Sequence, residues 1–401
     1  MKSNRLMEQF YFLLKWTTIC TITGFVSGMI IALYVACILQ ATDVRLHHLW
    51  VILGLPFVGF IMTTLYDHTT HGRLLGNNVL ISAIKGKRDH ISPWMIPFVI
   101  IGTSLVHLCG ASIGKEDMAA ELAGDVAFYT SKKLKLEREE SQWLMISAIA
   151  AGFSGTFGTP IAATFFAMEV VNRGKMRLDG LYPAFISALV TKEVTEFLGV
   201  HHATFHIQIP DLTWRVFLTV AGLGLIFSLV GYSFQVAVMT VRNLGLRFLK
   251  KRSYLSFVAG AVVASSALIT HTTQYLGLSA QLQLQAFGDK ALSPLAWLAK
   301  LGYSAFSIGG FYRGGSTTPL FDIGASFGAM MSQLVHLPQD FVAALGLVGV
   351  FAAATNTPVA CFVLGIEMFH GSGATFFFMI ALFSFMMSGQ FSCFAAQRWQ
   401  R

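Results

Sequence analysis

Glu116 is the residue with the most suggestive chemistry in this sequence. It follows a long apolar run at residues 94–113 and lies in the sequence G-K-E-D-M, which begins at Gly114. An ionisable side chain at membrane depth is costly and by default functional. Such a carboxyl can take up and release protons, and when ionised it can occupy the place of an anion. The alternative is structural, because Glu116 and Asp117 would also suit the first turn of a helix, where acidic residues are favoured.

A second feature is a duplicated pattern, F-x5-T-P-x-A-x6-E, which occurs at residues 153–169 and 351–367. Its prolines, Pro160 and Pro358, are 358 − 160 = 198 positions apart in a chain of 401 residues. Internal duplication of membrane-length segments with Pro and Gly interruptions is typical of transporters whose binding site lies between two halves. The duplication therefore predicts a central site to which both copies contribute.

Each copy is preceded by a turn that a glycine begins. Gly114 begins the first turn and Gly315 begins the second, in the sequence G-S-T-T-P, at an offset of 315 − 114 = 201. Glycine lets backbone N–H groups point at a ligand, and a helix that starts there adds the positive end of its dipole. Both turns are thus predicted to be anion cradles that converge near the membrane midplane. Helix capping is the alternative role for Thr317 and Thr318.

The elements that must position these turns are membrane-spanning helices. Hydrophobic residues make up 54% of the chain and charged residues 12%, against roughly 25% charged residues in ordinary soluble proteins. Charge-free runs long enough to span a bilayer occur at residues 16–39, 144–168 and 216–239. Shorter or interrupted apolar runs occur at residues 50–66, 94–113, 255–269, 342–366 and 376–387. These uneven lengths predict an all-α membrane protein of tilted and broken transmembrane helices.

We expect one transmembrane domain over residues 1–401, with halves at about 1–240 and 241–401 and no appended cytosolic domain. The first apolar run is too long for a signal-peptide core of about 7–15 residues, which predicts a retained helix. The net charge is +8, and the basic clusters between apolar runs suit cytoplasmic loops. No basic face is interleaved with exposed aromatic residues, which argues against a nucleic-acid partner.

The histidines and cysteines do not predict a metal site. His201, His202 and His206 lack a Cys or carboxylate partner at a metal-site spacing, so we expect them in a solvated loop. The five cysteines form no CxxC pair and suit buried positions. The sequence therefore predicts neither a metal nor a cofactor.

Two further glutamates, Glu169 and Glu367, end the duplicated pattern. We expect them to be interfacial or structural carboxylates and not anion ligands. An alternative of a different class is an intramembrane hydrolase with Glu116 or Glu367 as its base. That enzyme would need a set such as H-E-x-x-H or a Ser/Lys dyad in membrane context, and neither is evident.

Together these motifs resemble the CLC anion transporters and channels. The resemblance rests on G-K-E from Gly114, on the T-P helix that ends in Glu169, on the segment from Gly309 to Pro319 and on the second T-P helix. It covers residues 16–400. It implies an all-helical inverted repeat that forms a homodimer, with a separate anion pathway in each subunit.

Departures from the usual chloride pattern are similar to the fluoride/proton antiporter branch of that family. Gly-Ser-Gly-Ile-Pro becomes G-N-N-V-L from Gly76, Gly-Arg-Glu-Gly-Pro becomes G-K-E-D-M, and Gly-x-Phe-Ala-Pro becomes G-S-T-T-P. The branch uses a gating glutamate and a threonine before the proline for coupling, which implies these roles for Glu116 and Thr318. Fluoride is small and strongly hydrated, so good N–H and O–H donors must replace its water shell.

The resemblance implies an anion site contributed by the three turns and by one residue near the C-terminus. Its residues are Asn77, Asn78, Lys115, Ser316, Thr317, Thr318 and Phe394. Ordinary turn chemistry is the alternative for Asn77 and Asn78. Phe394 matches a tyrosine whose hydroxyl lines the anion site in the family, so either its ring edge replaces that hydroxyl or the register is shifted. Val170 matches a second, proton-carrying glutamate, which implies that Glu116 is the principal proton carrier.

The resulting prediction is a secondary-active antiporter of the bacterial inner membrane, not an enzyme. It would export cytoplasmic fluoride in exchange for inward protons, with Glu116 as gate and proton carrier. Its partners would be fluoride, protons, the lipid bilayer and a second copy of the chain. The alternative within the same family is a chloride-selective or unselective chloride/proton antiporter or channel.

Overall fold

The computed structural model describes residues 2–70, 77–86, 94–288, 292–389 and 392–399. Helices dominate these ranges, and the prediction of an all-α protein is confirmed. The helices are α1 (Lys2–His47), α2 (Leu55–Thr70), α3 (Asn77–Ile84), α4 (Met95–Leu108), α5 (Glu116–Lys133), α6 (Arg138–Phe157), α7 (Pro160–Glu169), α8 (Leu181–Phe197), α9 (Trp214–Leu249), α10 (Arg252–Ile269), α11 (Ala280–Phe287), α12 (Ala296–Gly309), α13 (Thr317–Val335), α14 (Gln339–Thr355), α15 (Pro358–Met368) and α16 (Ala374–Met387). Short 3₁₀ helices occur at Leu49–Gly54 and Leu178–Gly180, and β1 (Asn172–Arg173) pairs in parallel with β2 (Arg398–Trp399).

The helices differ widely in length. In the described part of the chain, four helical stretches are long and apolar enough to cross a membrane: Leu6–His47, Leu49–Thr69, Trp214–Leu249 and Arg252–Ile269. The apolar helices Met95–Leu108, Gln339–Thr355, Pro358–Met368 and Ala374–Met387 are shorter. Residue 240, the approximate boundary predicted between the halves, lies within α9.

Each T-P motif breaks an apolar run into two helices. In the run at residues 144–168, α6 ends before Gly158, whose φ of +72° is readily adopted by glycine, and Pro160 begins α7. In the second half, Asn356 takes a left-handed φ of 57° and Pro358 begins α15. Glycine or asparagine favours a left-handed helix C-terminus, and proline suits a first helical position because that N–H needs no partner within the helix. The prediction of broken helices is confirmed, with a local cause in the sequence.

The long helices of the second half pack through small residues. A Cβ atom on Gly324 of α13 would lie 2.3 Å from the carbonyl oxygen of Gly346, and one on Gly346 of α14 would lie 2.1 Å from the carbonyl oxygen of Gly324. Glycine thus lets the two backbones touch, which is how helices associate where lipid supplies no hydrophobic driving force. This close pairing fixes α13, whose N-terminus forms the second glycine-led turn.

The two halves also exchange helix caps. The Glu169 carboxylate at the end of α7 accepts hydrogen bonds at the N-terminus of α15, and the Glu367 carboxylate in α15 does the same at the N-terminus of α7. The backbone N–H donors are Val359 (3.3 Å) and Ala360 (2.9 Å) for Glu169, and Ile161 (3.0 Å) and Ala162 (2.6 Å) for Glu367. A carboxylate at a helix N-terminus satisfies unpaired donors and complements the helix dipole. These contacts are structural, as the sequence predicts for both glutamates.

Candidate anion and proton site

The two glycine-led turns meet at the centre of the protein. Gly114 and Gly315 each donate a backbone N–H to the other's carbonyl oxygen at 2.8 Å. This pair of hydrogen bonds brings the N-termini of α5 and α13 together. A Cβ atom on Gly114 would lie 2.3 Å from Glu116 Oε1, and one on Gly315 would lie 2.2 Å from the same atom. The absence of a side chain at both positions therefore makes room for the Glu116 carboxylate.

Glu116 begins α5, but its side chain crosses to the other half of the chain. Its Oε1 accepts hydrogen bonds from the backbone N–H of Thr317 at 2.7 Å and of Thr318 at 3.1 Å. Its Oε2 accepts a third from the Thr318 hydroxyl at 2.9 Å. The residue is fully buried. The carboxylate thus occupies the N-terminus of α13, where N–H groups and the helix dipole favour a negative charge.

Thr317 also carries a side-chain hydroxyl that does not bond to this carboxylate. The hydroxyl oxygen of Thr317 is buried and has no hydrogen-bond partner among the described residues. Ser316 occupies the preceding cap position and is also buried. The N-terminus of α13 therefore offers a hydroxyl in addition to the three groups that Glu116 uses.

The asparagines of the first turn have partners of their own, whereas Gly76 lies outside the described residues. Asn77 begins α3, is fully buried, and donates its side-chain N–H to Asp117 Oδ1 at 2.8 Å. Asn78 accepts a hydrogen bond on Oδ1 from the backbone N–H of Ala396 at 2.9 Å. The structure thus connects Asn77 to a residue adjacent to Glu116 and Asn78 to the C-terminal segment. Direct contact of either amide with an anion stays a prediction.

Lys115 is held through its backbone. Its carbonyl oxygen accepts a hydrogen bond from the hydroxyl of Tyr34 at 3.1 Å, and its side chain is half-buried. Contact of its ammonium with an anion stays a prediction.

A cavity of about 600 Å³ lies next to these turns. We call it the basic cavity, because Arg242, Arg252 and Arg313 line it. Asn78, Asp117, Ser316 and Phe394 also contribute to its wall. Phe394 is almost fully buried and meets Phe166 edge-on at a centroid distance of 6.0 Å. Three predicted site residues, Asn78, Ser316 and Phe394, therefore share one cavity.

A second cavity, of about 390 Å³, is lined by His201, His202, Glu196 and Glu367. His201 is exposed, as predicted, whereas His202 is half-buried and its Nδ1 lies 3.3 Å from the carbonyl oxygen of Thr156. Burial, followed by the positive charge of Lys115, lowers the pKa of His202. The predicted loop is confirmed at residues 201–206, although His202 is only partly exposed to solvent. No group of three or more metal-ligating side chains occurs in the described part of the chain.

Two buried ion pairs flank the central turns, and the sequence analysis did not identify them. Glu121 of α5 lies 3.5 Å from the guanidinium of Arg313, and Asp322 of α13 lies 3.2 Å from the ammonium of Lys300. The two acids are 322 − 121 = 201 positions apart, the same offset as the two glycines. A carboxylate repeated at that offset within apolar helices is the signal that could have revealed them.

Lys300 is the most enclosed cation among the described residues. It is fully buried, and its Nζ donates to the hydroxyls of Ser112 at 2.9 Å and Ser279 at 2.6 Å besides pairing with Asp322. Asp322 also accepts a hydrogen bond from Gln283 at 2.6 Å. Buried charges persist where partners and hydrogen bonds satisfy them. The pair therefore holds α12 and α13 together near the glycine-led turn that precedes α13.

Comparison with known proteins agrees with this geometry. A family model described as voltage gated chloride channel matches residues 54–389. The chain is 32% identical over 395 residues to a chloride/fluoride channel protein of Pseudomonas syringae pv. tomato, covering 96% of this chain and 87% of that protein. A solved structure of a CLC-type fluoride/proton antiporter superposes with a TM-score of 0.93 at 30% identity, covering 97% of this chain and 98% of that one.

A slow cyanobacterial Cl⁻/H⁺ antiporter shares the fold with a TM-score of 0.81 at 15% identity, covering 93% of this chain and 94% of that one. Short broken helices, paired glycine turns and duplicated T-P motifs thus occur here in a fold shared with two solved anion/proton antiporters. This multi-pass membrane protein, with its inverted repeat meeting at Gly114 and Gly315, belongs to the CLC family.

Proposed function

We propose that this protein is a fluoride/proton antiporter that exports cytoplasmic fluoride in exchange for inward protons. The observation that carries the proposal is the position of the Glu116 carboxylate, held by three hydrogen bonds at the N-terminus of α13. The names of two similar proteins, a chloride/fluoride channel protein and a CLC-type fluoride/proton antiporter, support fluoride as the anion.

Competition between carboxylate and anion couples the two ions in this proposal. An ionised Glu116 and a fluoride ion both require the N–H and O–H donors of Thr317 and Thr318, so only one can bind at a time. A proton on Glu116 removes its charge and weakens these hydrogen bonds, since charge-assisted bonds are the stronger ones. Fluoride then enters, and the return of the ionised carboxylate expels it. One proton moves for each fluoride.

The donor set favours a small, strongly hydrated anion. The hydroxyl of Thr317 has no partner among the described residues, and that of Thr318 becomes free when Glu116 leaves. Two hydroxyls beside two backbone N–H groups can replace part of the water shell of fluoride. Chloride is larger and less strongly hydrated, and gains less from them.

The distribution of basic residues supports an orientation. Lysines and arginines cluster in or next to the connections α5–α6, α7–α8 and α9–α10, whereas residues 198–213, 270–279 and 369–373 contain none. By the positive-inside rule the first set faces the cytoplasm. The basic cavity, lined by Arg242 and Arg252 near the α9–α10 connection, is then the cytoplasmic entrance for fluoride. The protein would act in the bacterial inner membrane as a homodimer.

Reconstituted liposomes test the proposal. Fluoride-loaded and chloride-loaded vesicles are compared for anion efflux and for proton uptake against a proton gradient. We expect fluoride efflux to drive proton uptake in the wild type, and Glu116→Gln to abolish the proton movement. Equal rates for the two anions would instead favour an unselective CLC protein. Uphill proton movement by Glu116→Gln would contradict the role of Glu116.

A further inference from the structure

Asp117 is a second buried carboxyl, which the exchange step described above does not use. It follows Glu116 in the first turn of α5 and is about 9% exposed. Whereas the Glu116 carboxylate is enclosed at the N-terminus of α13, Asp117 contributes to the wall of the basic cavity. The carboxyl of Glu116 therefore lies at the N-terminus of α13, and the carboxyl of the adjacent residue, Asp117, lies at the basic cavity.

The partner of Asp117 can bind either protonation state. Asn77 donates its side-chain N–H to the carboxylate at 2.8 Å, and its own Oδ1 is buried without a partner among the described residues. An amide carries both donors and an acceptor, and a protonated carboxyl becomes a donor. If the amide rotates by half a turn, Asn77 Oδ1 can accept the Asp117 O–H. The pair thus keeps a hydrogen bond with the proton present or absent.

Charges of both signs surround Asp117. Its own helix contributes the acids Glu116 and Glu121. The other elements at the cavity contribute Arg313 before α13, Arg242 of α9, Arg252 of α10, Asp67 of α2 and the thiol of Cys393 near the C-terminus. Arg313 pairs with Glu121 and Arg252 with Asp67. Acids disfavour and cations favour the ionised carboxylate.

We propose that Asp117 is a proton relay residue between Glu116 and the water of the basic cavity, and that Asn77 is its positioning partner. This proposal rests on the proposed function. Successive residues of a helix point about 100° apart, so the two carboxyls do not face each other while Glu116 is bound at α13. Proton transfer to Asp117 therefore follows the departure of protonated Glu116 from α13. The Glu116 O–H bond breaks and an Asp117 O–H bond forms, leaving Glu116 ionised. Asp117 then gives the same proton to cavity water, and both carboxylates are restored.

The test compares protons moved per fluoride in reconstituted wild type, Asp117→Asn and Asp117→Glu. Asparagine keeps the size of the side chain and an acceptor for Asn77 but cannot carry a proton. We expect Asp117→Asn to move fluoride while its proton movement falls to the level of protein-free vesicles, and Asp117→Glu to restore coupling. Asp211→Asn, which makes the same change at an exposed position outside the cavity, should keep the wild-type ratio.

An unchanged ratio in Asp117→Asn overturns the relay while the coupled wild type still supports the antiporter. A wild type that moves no protons overturns both. If Asp117→Asn stops both ions, Asp117→Glu decides: recovered exchange supports the relay because it restores a titratable carboxyl, and continued inactivity overturns it.

Discussion

The Thr318 hydroxyl donates a hydrogen bond to Glu116 Oε2 at 2.9 Å, which joins residues 202 positions apart in the chain. A side chain from the first half of the repeat is therefore bound by a helix of the second half. The corresponding turns differ in what they contribute, since one supplies the carboxylate and the other supplies its donors. This asymmetry converts a duplicated scaffold into a single site for exchange.

Removing the Thr318 hydroxyl should weaken both the gate and the anion site. A hydrogen bond to a charged group contributes about 1.5–3 kcal/mol, or roughly a tenfold to hundredfold change in binding. We expect Thr318→Val to lower the fluoride-to-chloride ratio of efflux rates, and Thr318→Ser, which keeps the hydroxyl, to retain it. Both rates are measured with ion-selective electrodes in liposomes. Equal selectivity in Thr318→Val and wild type would contradict the role of this hydroxyl.

A methyl group at Gly315 should displace the Glu116 carboxylate. The new Cβ would lie 2.2 Å from Glu116 Oε1, which is well inside contact distance. We expect Gly315→Ala to impair coupled fluoride/proton exchange strongly. Gly302→Ala in α12 is the matched control, because no atom lies within 4 Å of its Cβ position. If Gly315→Ala exchanges the two ions at the wild-type rate, exchange does not require the Glu116 carboxylate to lie at the N-terminus of α13.

The exchanged caps should stabilise the protein about equally. Loss of an N-terminal cap costs about 0.5–2 kcal/mol, with a further contribution from the helix dipole. We expect Glu169→Gln and Glu367→Gln each to lower the unfolding temperature in detergent, measured by intrinsic fluorescence. Glu193→Gln, at an exposed ion pair with Lys192, is the control and should change it little. A cap variant with the same unfolding temperature as this control would rule out a stabilising role for that cap.

The Lys300–Asp322 pair should show strong non-additivity. Removing one partner of a buried pair costs about 3–5 kcal/mol, because the other charge is left unpaired. We expect Lys300→Met to reduce the unfolding temperature and the yield of monodisperse protein. The double variant Lys300→Met/Asp322→Leu should recover part of the loss, as thermal unfolding would show. If the double variant loses as much unfolding temperature as the two single variants together, Lys300 and Asp322 are not directly coupled.

The sequence predicts local breaks and the duplicated plan well, because these depend on nearby residues. Pro160 and Pro358 each begin a new helix within an apolar run, because proline cannot continue the preceding helix. The partners of Glu116, Glu169 and Glu367 lie in the opposite half, and only the packed fold brings them within hydrogen-bond distance. Spacing alone could therefore identify the carboxylates but not their donors.

The partner of Lys300 could not be predicted from the sequence, for a different reason. A single lysine in an otherwise apolar helix is itself a signal of a buried, partnered charge, yet its partner Asp322 lies on the next helix and beyond a loop. Asp117 resembles an ordinary first-turn acid until the structure places Asn77 from a separate helix against it. Tertiary contacts of this kind separate a capping residue from a candidate proton carrier.

The reciprocal caps bear on how the chain enters the membrane. Glu367, which caps α7, lies close to the C-terminal end of the chain, whereas α7 itself belongs to the first half. During synthesis the backbone N–H groups at the start of α7 cannot form these hydrogen bonds until Glu367 has been translated, roughly 200 residues later. The hydrogen bonds that join the two halves at these caps can therefore form only after the second half has been translated and inserted.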